Sequence, residues 1–257
     1  MARYFLEFAY NGTRFHGYQI QPNSLSVQES IQKALSILLK SETEITGCGR
    51  TDSGVHALQY FAHFDFDGIL PSNLIYSLNG MLKKDIVFYN CIPVEEHAHA
   101  RFDAISRSYV YHIDLAPNPF RQETSYYCPF ADKLDKNLMQ KAATILLDYT
   151  DFNSFCLTDN DAKTKICNLR HSEWIFNEWN WEYHVVSDRF LRGMIRLIVG
   201  MCLNVGKGKI NLDELRYAME NKKALNYAWS APASGLFLTD IRYPYIHQEG
   251  DRNKKRH

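Results

Sequence analysis

Two hydrophobic periods take turns along this chain. Residues 3–10 (RYFLEFAY) set aromatics in partial alternation and predict an opening strand. From Ser26 the period lengthens. Val27, Ile31, Leu35, Leu38 and Leu39 return at helical spacing, and Ser26 with Glu29 forms a capping box at the start. A short strand at 44–47 leads into the polar loop GRTDSG. Leu58, Tyr60, Ala62, Phe64 and Phe66 then alternate with more polar neighbours, which is the strand period. Pro71 and Ser72 open a second helix that runs to Leu82, and strands are expected at 86–94 and 104–115.

The second half repeats the mixture. A crossover at 116–132 contains three prolines, and a helix follows at 135–147 with Asp135 as its N-cap. Strands are expected at 170–176 and 181–187, a largely apolar helix at 190–205, a polar helix at 212–221 and a last strand at 235–242. Helices and tight-turned strands mixed in both halves indicate an α+β protein with a mostly antiparallel sheet. The expected organisation is an N-terminal lobe at 1–115, a crossover linker at 116–132, a C-terminal lobe at 133–246 and a basic tail at 247–257.

Composition narrows the class of function. The chain has 257 residues, 46% hydrophobic and 14% aromatic, enough to fill one large core or two small ones. The N-terminus lacks the basic head, apolar run and cleavage site of a signal peptide. No stretch approaches the ~18 apolar residues that suggest a membrane span. A cytoplasmic location is expected. The six cysteines are scattered with no C-x-x-C pair, and His97 and His99 have no third ligand at a useful spacing, so no metal is expected. Formal net charge is zero. Binding to a polyanion therefore requires Lys and Arg to gather on one face.

Three places could carry chemistry. The loop Gly47-Cys48-Gly49-Arg50-Thr51-Asp52-Ser53-Gly54 combines polar side chains with a backbone that must turn sharply or admit a close neighbour. It lacks the P-loop pattern. The plain alternative is a turn in which Asp52 caps its own backbone N–H groups. Arg196 sits in Met-Ile-Arg-Leu-Ile-Val-Gly, apolar around the whole helix, so it is expected to be buried and to need a carboxylate or phosphate partner. Asp52 is the candidate, in an ion pair that is either functional or purely structural, whereas Arg192, one turn earlier, can reach solvent. Tyr109 and Tyr111 alternate on one strand and share a face, suited either to stacking on an unpaired base or to ordinary core packing.

In order along the chain, these features resemble the tRNA pseudouridine synthase A family. The resemblance runs through 10–19 (YNGTRFHGYQ), 26–29 (SVQE), 49–57 (GRTDSGVHA), 99–102 (HARF), 106–111 (SRSYVY), 190–200 (FLRGMIRLIVG) and 235–238 (GLFL). It implies two ferredoxin-like lobes sharing a sheet around a central RNA-binding cleft, a homodimer, no cofactor, and isomerisation of uridines at positions 38 to 40 of the tRNA anticodon stem-loop. It also implies Asp52 as the essential aspartate, Tyr109 stacked on the target uracil and Arg196 paired with the carboxylate. Arg50 would help hold the nucleotide out of its stack. Tyr18, Ile20 and Ser108 stand where the family commonly has tryptophan, arginine and arginine, and each substitution takes away a group that could touch RNA. The alternatives are a non-catalytic RNA-binding or tRNA-folding protein, a synthase acting on other RNA uridines, and a metabolic enzyme using the glycine loop for a sugar phosphate.

Overall fold

The computed structural model describes residues 1–82, 84–156 and 164–246. Along them run β1 (Ala2–Tyr10), α1 (Val27–Leu39), β2 (Thr46–Gly47), β3 (His56–Phe66), α2 (Leu74–Leu82), β4 (Ile86–Val94) and β5 (Ser106–Asp114). Then come β6 (Tyr126–Tyr127), α3 (Lys136–Ile145), β7 (Leu169–Phe176), β8 (Asn180–Ser187), α4 (Met194–Gly206), α5 (Leu212–Glu220) and β9 (Leu236–Arg242). The expected α+β class holds. The tail at 247–257 lies outside the described residues.

Seven strands form the sheet in the order β4-β1-β3-β9-β5-β8-β7, with β2 added beside β3 and β6 beside β5. Every pairing on the main path is antiparallel except β3 with β9, which run parallel over only two partners, His56 to Phe237 and Ala57 to Leu238. That short parallel seam joins two antiparallel halves. Strand β5 precedes the crossover in sequence but lies between β9 and β8 in the sheet.

Two apolar clusters flank the seam. One gathers α1, α2 and the strands β1, β3 and β4 around Phe8, Leu35, Tyr60 and Phe88. The other packs α3, α4 and α5 on β5, β7 and β8 around Tyr111, Tyr183, Ile198 and Leu215. Each borrows from across the seam: Val55 belongs to the second cluster, and Leu238, Ile241 and Tyr243 to the first. Tyr109 packs against both.

Local signals differ from expectation in instructive ways. Ser26 does cap α1, accepting from Glu29 N, but the Glu29 side chain pairs forward with Lys33. A complete reciprocal box, unanticipated from sequence, closes on α5 between Asn211 and Glu214. The apolar stretch at 190–205 yields a helix only from Met194, because Gly193 takes a left-handed conformation (φ +70°) that ends the preceding turn. β6 is two residues long, too short to show a period.

Candidate active site

The GRTDSG loop does not stand alone; the segment 10–18 wraps it. Tyr10 Oη and Thr51 Oγ1 lie 2.9 Å apart, Tyr18 N donates to Thr51 O at 3.3 Å, and Ser53 Oγ and Gly54 N both donate to Phe15 O at 3.3 Å. Gly17 has φ +92°, and a Cβ there would stand 2.5 Å from Thr51 O. Only glycine lets the two loops approach so closely. Below, Tyr60 Oη donates to Gly49 O at 2.6 Å, and Tyr18 stacks on the Tyr60 ring at 4.5 Å. Tyr18 is buried, so the tyrosine in place of tryptophan packs this loop from within.

With its loop pinned, Asp52 turns its carboxylate towards α4 and is only partly exposed. Arg196 Nη1 donates to Asp52 Oδ2 at 3.2 Å, while Arg192 Nε lies 3.9 Å from Oδ1. The carboxylate makes no hydrogen bond to its own loop among the described residues; the turn is closed by backbone, Val55 N donating to Asp52 O at 3.2 Å. The self-capping alternative therefore fails, and the pairing with Arg196 expected from the sequence forms. Arg196 is less buried than its apolar surroundings suggested, with 22% of its side chain exposed, because it occupies the first turn of α4 at the seam. Arg192, expected to reach solvent, does so and also faces the second carboxylate oxygen.

Arg196 is itself held. Its Nε donates to Ala231 O at 2.6 Å and its carbonyl accepts from Ala231 N at 3.0 Å. The 229–232 segment that supplies these contacts lies so close to α4 that a Cβ on Gly200 would collide with Trp229 O. Tyr111 supports the same segment from beneath, its hydroxyl donating to Pro232 O at 2.8 Å. Fully buried, it is the packing tyrosine of the strand.

Tyr109 is half-buried on the same face, its ring edge-on to Phe190 with centroids 5.3 Å apart. Burial, then the nearby Cys48 thiol, push its hydroxyl well above the usual tyrosine range; the Asp52 charge adds to the push and the Arg107 guanidinium opposes it. Its hydroxyl is therefore neutral at ordinary pH. Arg50 is exposed and makes no hydrogen bond or ion pair with any described residue. The structure thus pairs Asp52 with Arg196, sets Tyr109 within electrostatic reach of Asp52 and leaves Arg50 exposed on the same loop. Sequence reasoning missed Arg107, whose four carbonyl contacts depend on loops far apart in the chain. The R-x-Y-x-Y alternation at 107–111, which puts Arg107 on the face of Tyr109, was the available signal.

No cluster of three metal-ligating side chains occurs among the described residues, and all six cysteines are free. No described helix is long and apolar enough to cross a membrane.

Comparison with known proteins gives this geometry its context. A family model described as tRNA pseudouridine synthase matches residues 142–244. A tRNA pseudouridine synthase A from Azobacteroides pseudotrichonymphae is 46% identical over 245 residues, covering 95% of this chain and 98% of that protein. This chain belongs to the tRNA pseudouridine synthase A family. Likeness at that level extends through a Bacteroides fragilis synthase A, 43% identical over 94% of the chain and 96% of the relative. It persists at 34% identity in one from Staphylococcus aureus, over 93% and 91%. The span of the family model holds Arg192 and Arg196 on the second half, whereas Asp52 lies outside it on the first.

Proposed function

We propose that this protein isomerises uridine to pseudouridine in tRNA, acting on the anticodon stem-loop at positions 38 to 40, with Asp52 as the catalytic carboxylate. The observation that carries the reading is the pairing of Asp52 Oδ2 with Arg196 Nη1 across the seam, at 3.2 Å, with Tyr109 within reach of the Asp52 charge. A half-buried carboxylate faced by two arginines suits catalysis better than mere binding. Charge is needed there when a sugar carbon turns electron-poor.

The reaction breaks the N1–C1′ bond, turns the uracil, joins C5 to C1′, removes the C5 proton and leaves N1 protonated. Reaching the uridine costs a few kcal/mol of stacking and pairing. Arg50, exposed on the Asp52 loop, would hold the nucleotide out of its stack. Tyr109 would stack on the extruded base. Asp52 would act at C1′, as nucleophile or as proton acceptor on the sugar. Arg196 would keep the carboxylate aimed, and with the Tyr109 hydroxyl held neutral the C5 proton would leave to Asp52 or to solvent. This chemistry calls for no metal or redox cofactor.

In this reading residues 1–115 form the first lobe, 116–132 the crossover and 133–246 the second lobe, with β5 lending its strand to the second. The protein would work in the cytoplasm as a homodimer, and the basic composition of the 247–257 tail suits phosphates.

The deciding experiment maps pseudouridine by position in unmodified tRNA incubated with wild type and with Asp52→Asn. Product in the anticodon arm from wild type alone is the expected result. Product elsewhere would redirect the proposal to other RNA uridines. No product, with tRNA still bound, would favour a binding or tRNA-folding role.

A further inference from the structure

Arg107 lies two residues before Tyr109 on β5 and shares its face of the strand. Its guanidinium forms no ion pair with a carboxylate among the described residues. Instead it donates to four backbone carbonyls: Nη1 to Asp188 O at 2.7 Å and Ala104 O at 3.3 Å, Nη2 to Cys48 O at 2.9 Å and Arg101 O at 2.8 Å. These carbonyls come from three separate segments. Cys48 begins the loop that carries Asp52. Asp188 begins the turn that carries Arg192 and leads into α4 with Arg196. Arg101 and Ala104 belong to the connection between β4 and β5.

Apart from the ion pairs of Asp52 itself, no hydrogen bond among the described residues joins the 49–54 loop directly to the 188–193 turn. Arg107 bridges them. The far side of the bridge is stiff: Asp188 accepts from Asn168 N at 2.9 Å and Asn168 Nδ2 at 2.7 Å, and from Arg189 N at 2.7 Å. A guanidinium is suited to this task because its donors lie in a rigid planar fork. An ammonium on a flexible stem cannot span the same carbonyls at once. The charge also reaches Tyr109, where it opposes the upward push that burial and Cys48 exert on the hydroxyl.

We infer that Arg107 is a positioning residue of the active site, setting the separation between the Asp52 loop and the Arg192–Arg196 turn through their backbones without touching the RNA. The inference rests on the reading of Asp52 as the reacting carboxylate. A displacement of about 1 Å at such a carboxylate costs on the order of 100-fold in rate.

The test compares Arg107→Met, which removes every donor at similar length, with Arg107→Lys, which keeps the charge. Single-turnover rates at saturating tRNA, tRNA dissociation constants and melting temperatures are measured together. Arg107→Met is expected to slow the saturated rate by about 100-fold and Arg107→Lys by about 10-fold. Dissociation constants should stay within about threefold of wild type in both, and the lysine variant should melt with wild type. If the methionine variant fails to fold, the lysine variant decides alone. A saturated rate within about threefold of wild type in the lysine variant overturns the inference. So does a loss confined to tRNA affinity, which would make Arg107 an RNA-binding residue. Wild type that isomerises no tRNA sinks the functional reading itself and takes this inference with it.

Discussion

Asp52 has two carboxylate oxygens, and the structure gives each its own arginine: Arg196 at 3.2 Å on one and Arg192 at 3.9 Å on the other. Their surroundings differ. Arg196 is 22% exposed and anchored by Ala231, whereas Arg192 is 61% exposed and anchored by nothing else that the structure describes. Exposed ion pairs contribute little to stability, so Arg192 is free to exchange Asp52 for an RNA phosphate at small cost. Arg196→Leu should therefore depress the saturated rate far more than it weakens tRNA binding. Arg192→Gln should do the reverse, raising the dissociation constant and reducing the slope of log affinity against log salt by about one. Salt titrations of binding beside single-turnover rates check both, and equal losses in the two variants would show that the pair is not divided in this way. The partnership of Asp52 with Arg196 was legible in the chain because an arginine surrounded by apolar residues must find an anion. The second cation was not, because Arg192 reads as a surface residue until Gly193 bends the backbone and turns it towards the carboxylate.

At the scale of elements, α4 and the 229–232 segment behave as one unit. Gly200 sits in mid-helix, where glycine costs about 1 kcal/mol relative to alanine, yet no larger residue fits under Trp229 O. Gly200→Ala is thus expected to destabilise, by about 1–3 kcal/mol as overpacking, and not to gain the usual helix propensity. The same displacement would move Ala231, and with it Arg196, so activity should fall more than the melting temperature alone explains. Denaturant midpoints and turnover measured on one preparation test the coupling; a variant as stable and active as wild type would show that the segment yields freely. Long periodic elements such as α1, β3 and β8 were readable because burial of one face imposes a period. The start of α4 and the two-residue β6 were not, because a single glycine conformation and a short pairing leave no period to read.

Over the whole molecule, a buried histidine couples stability to pH. His63 lies on β3 with its Nδ1 accepting from Ala100 N at 3.2 Å, which requires the neutral ring. Burial, and then the charges of Arg3 and His99, push its pKa down to about 4. The unfolded chain holds histidine near its ordinary value of about 6.5. Between those values the unfolded state binds more protons, so stability present above about pH 6.5 is lost as pH falls towards 4, on the order of 3 kcal/mol in all. Melting temperatures at about pH 7.5 and about pH 5 should differ more for wild type than for His63→Gln. Equal differences would assign the acid sensitivity to other groups.

Periodicity alone was enough for the order of the longer strands and helices and for the α+β class, since an amphipathic face must be buried. The residue types of the candidate site were likewise legible: a carboxylate on a glycine loop, an arginine in an apolar helix, alternating tyrosines on a strand. Their assembly was not. It depends on the two-partner parallel seam between β3 and β9, which carries no pattern of its own and joins residues about 180 positions apart. The backbone carbonyls that hold Arg107 and Arg196 come from segments whose side chains do not record the contact. Contacts made through main-chain atoms leave no trace in residue identity, and so they are settled only when the loops meet.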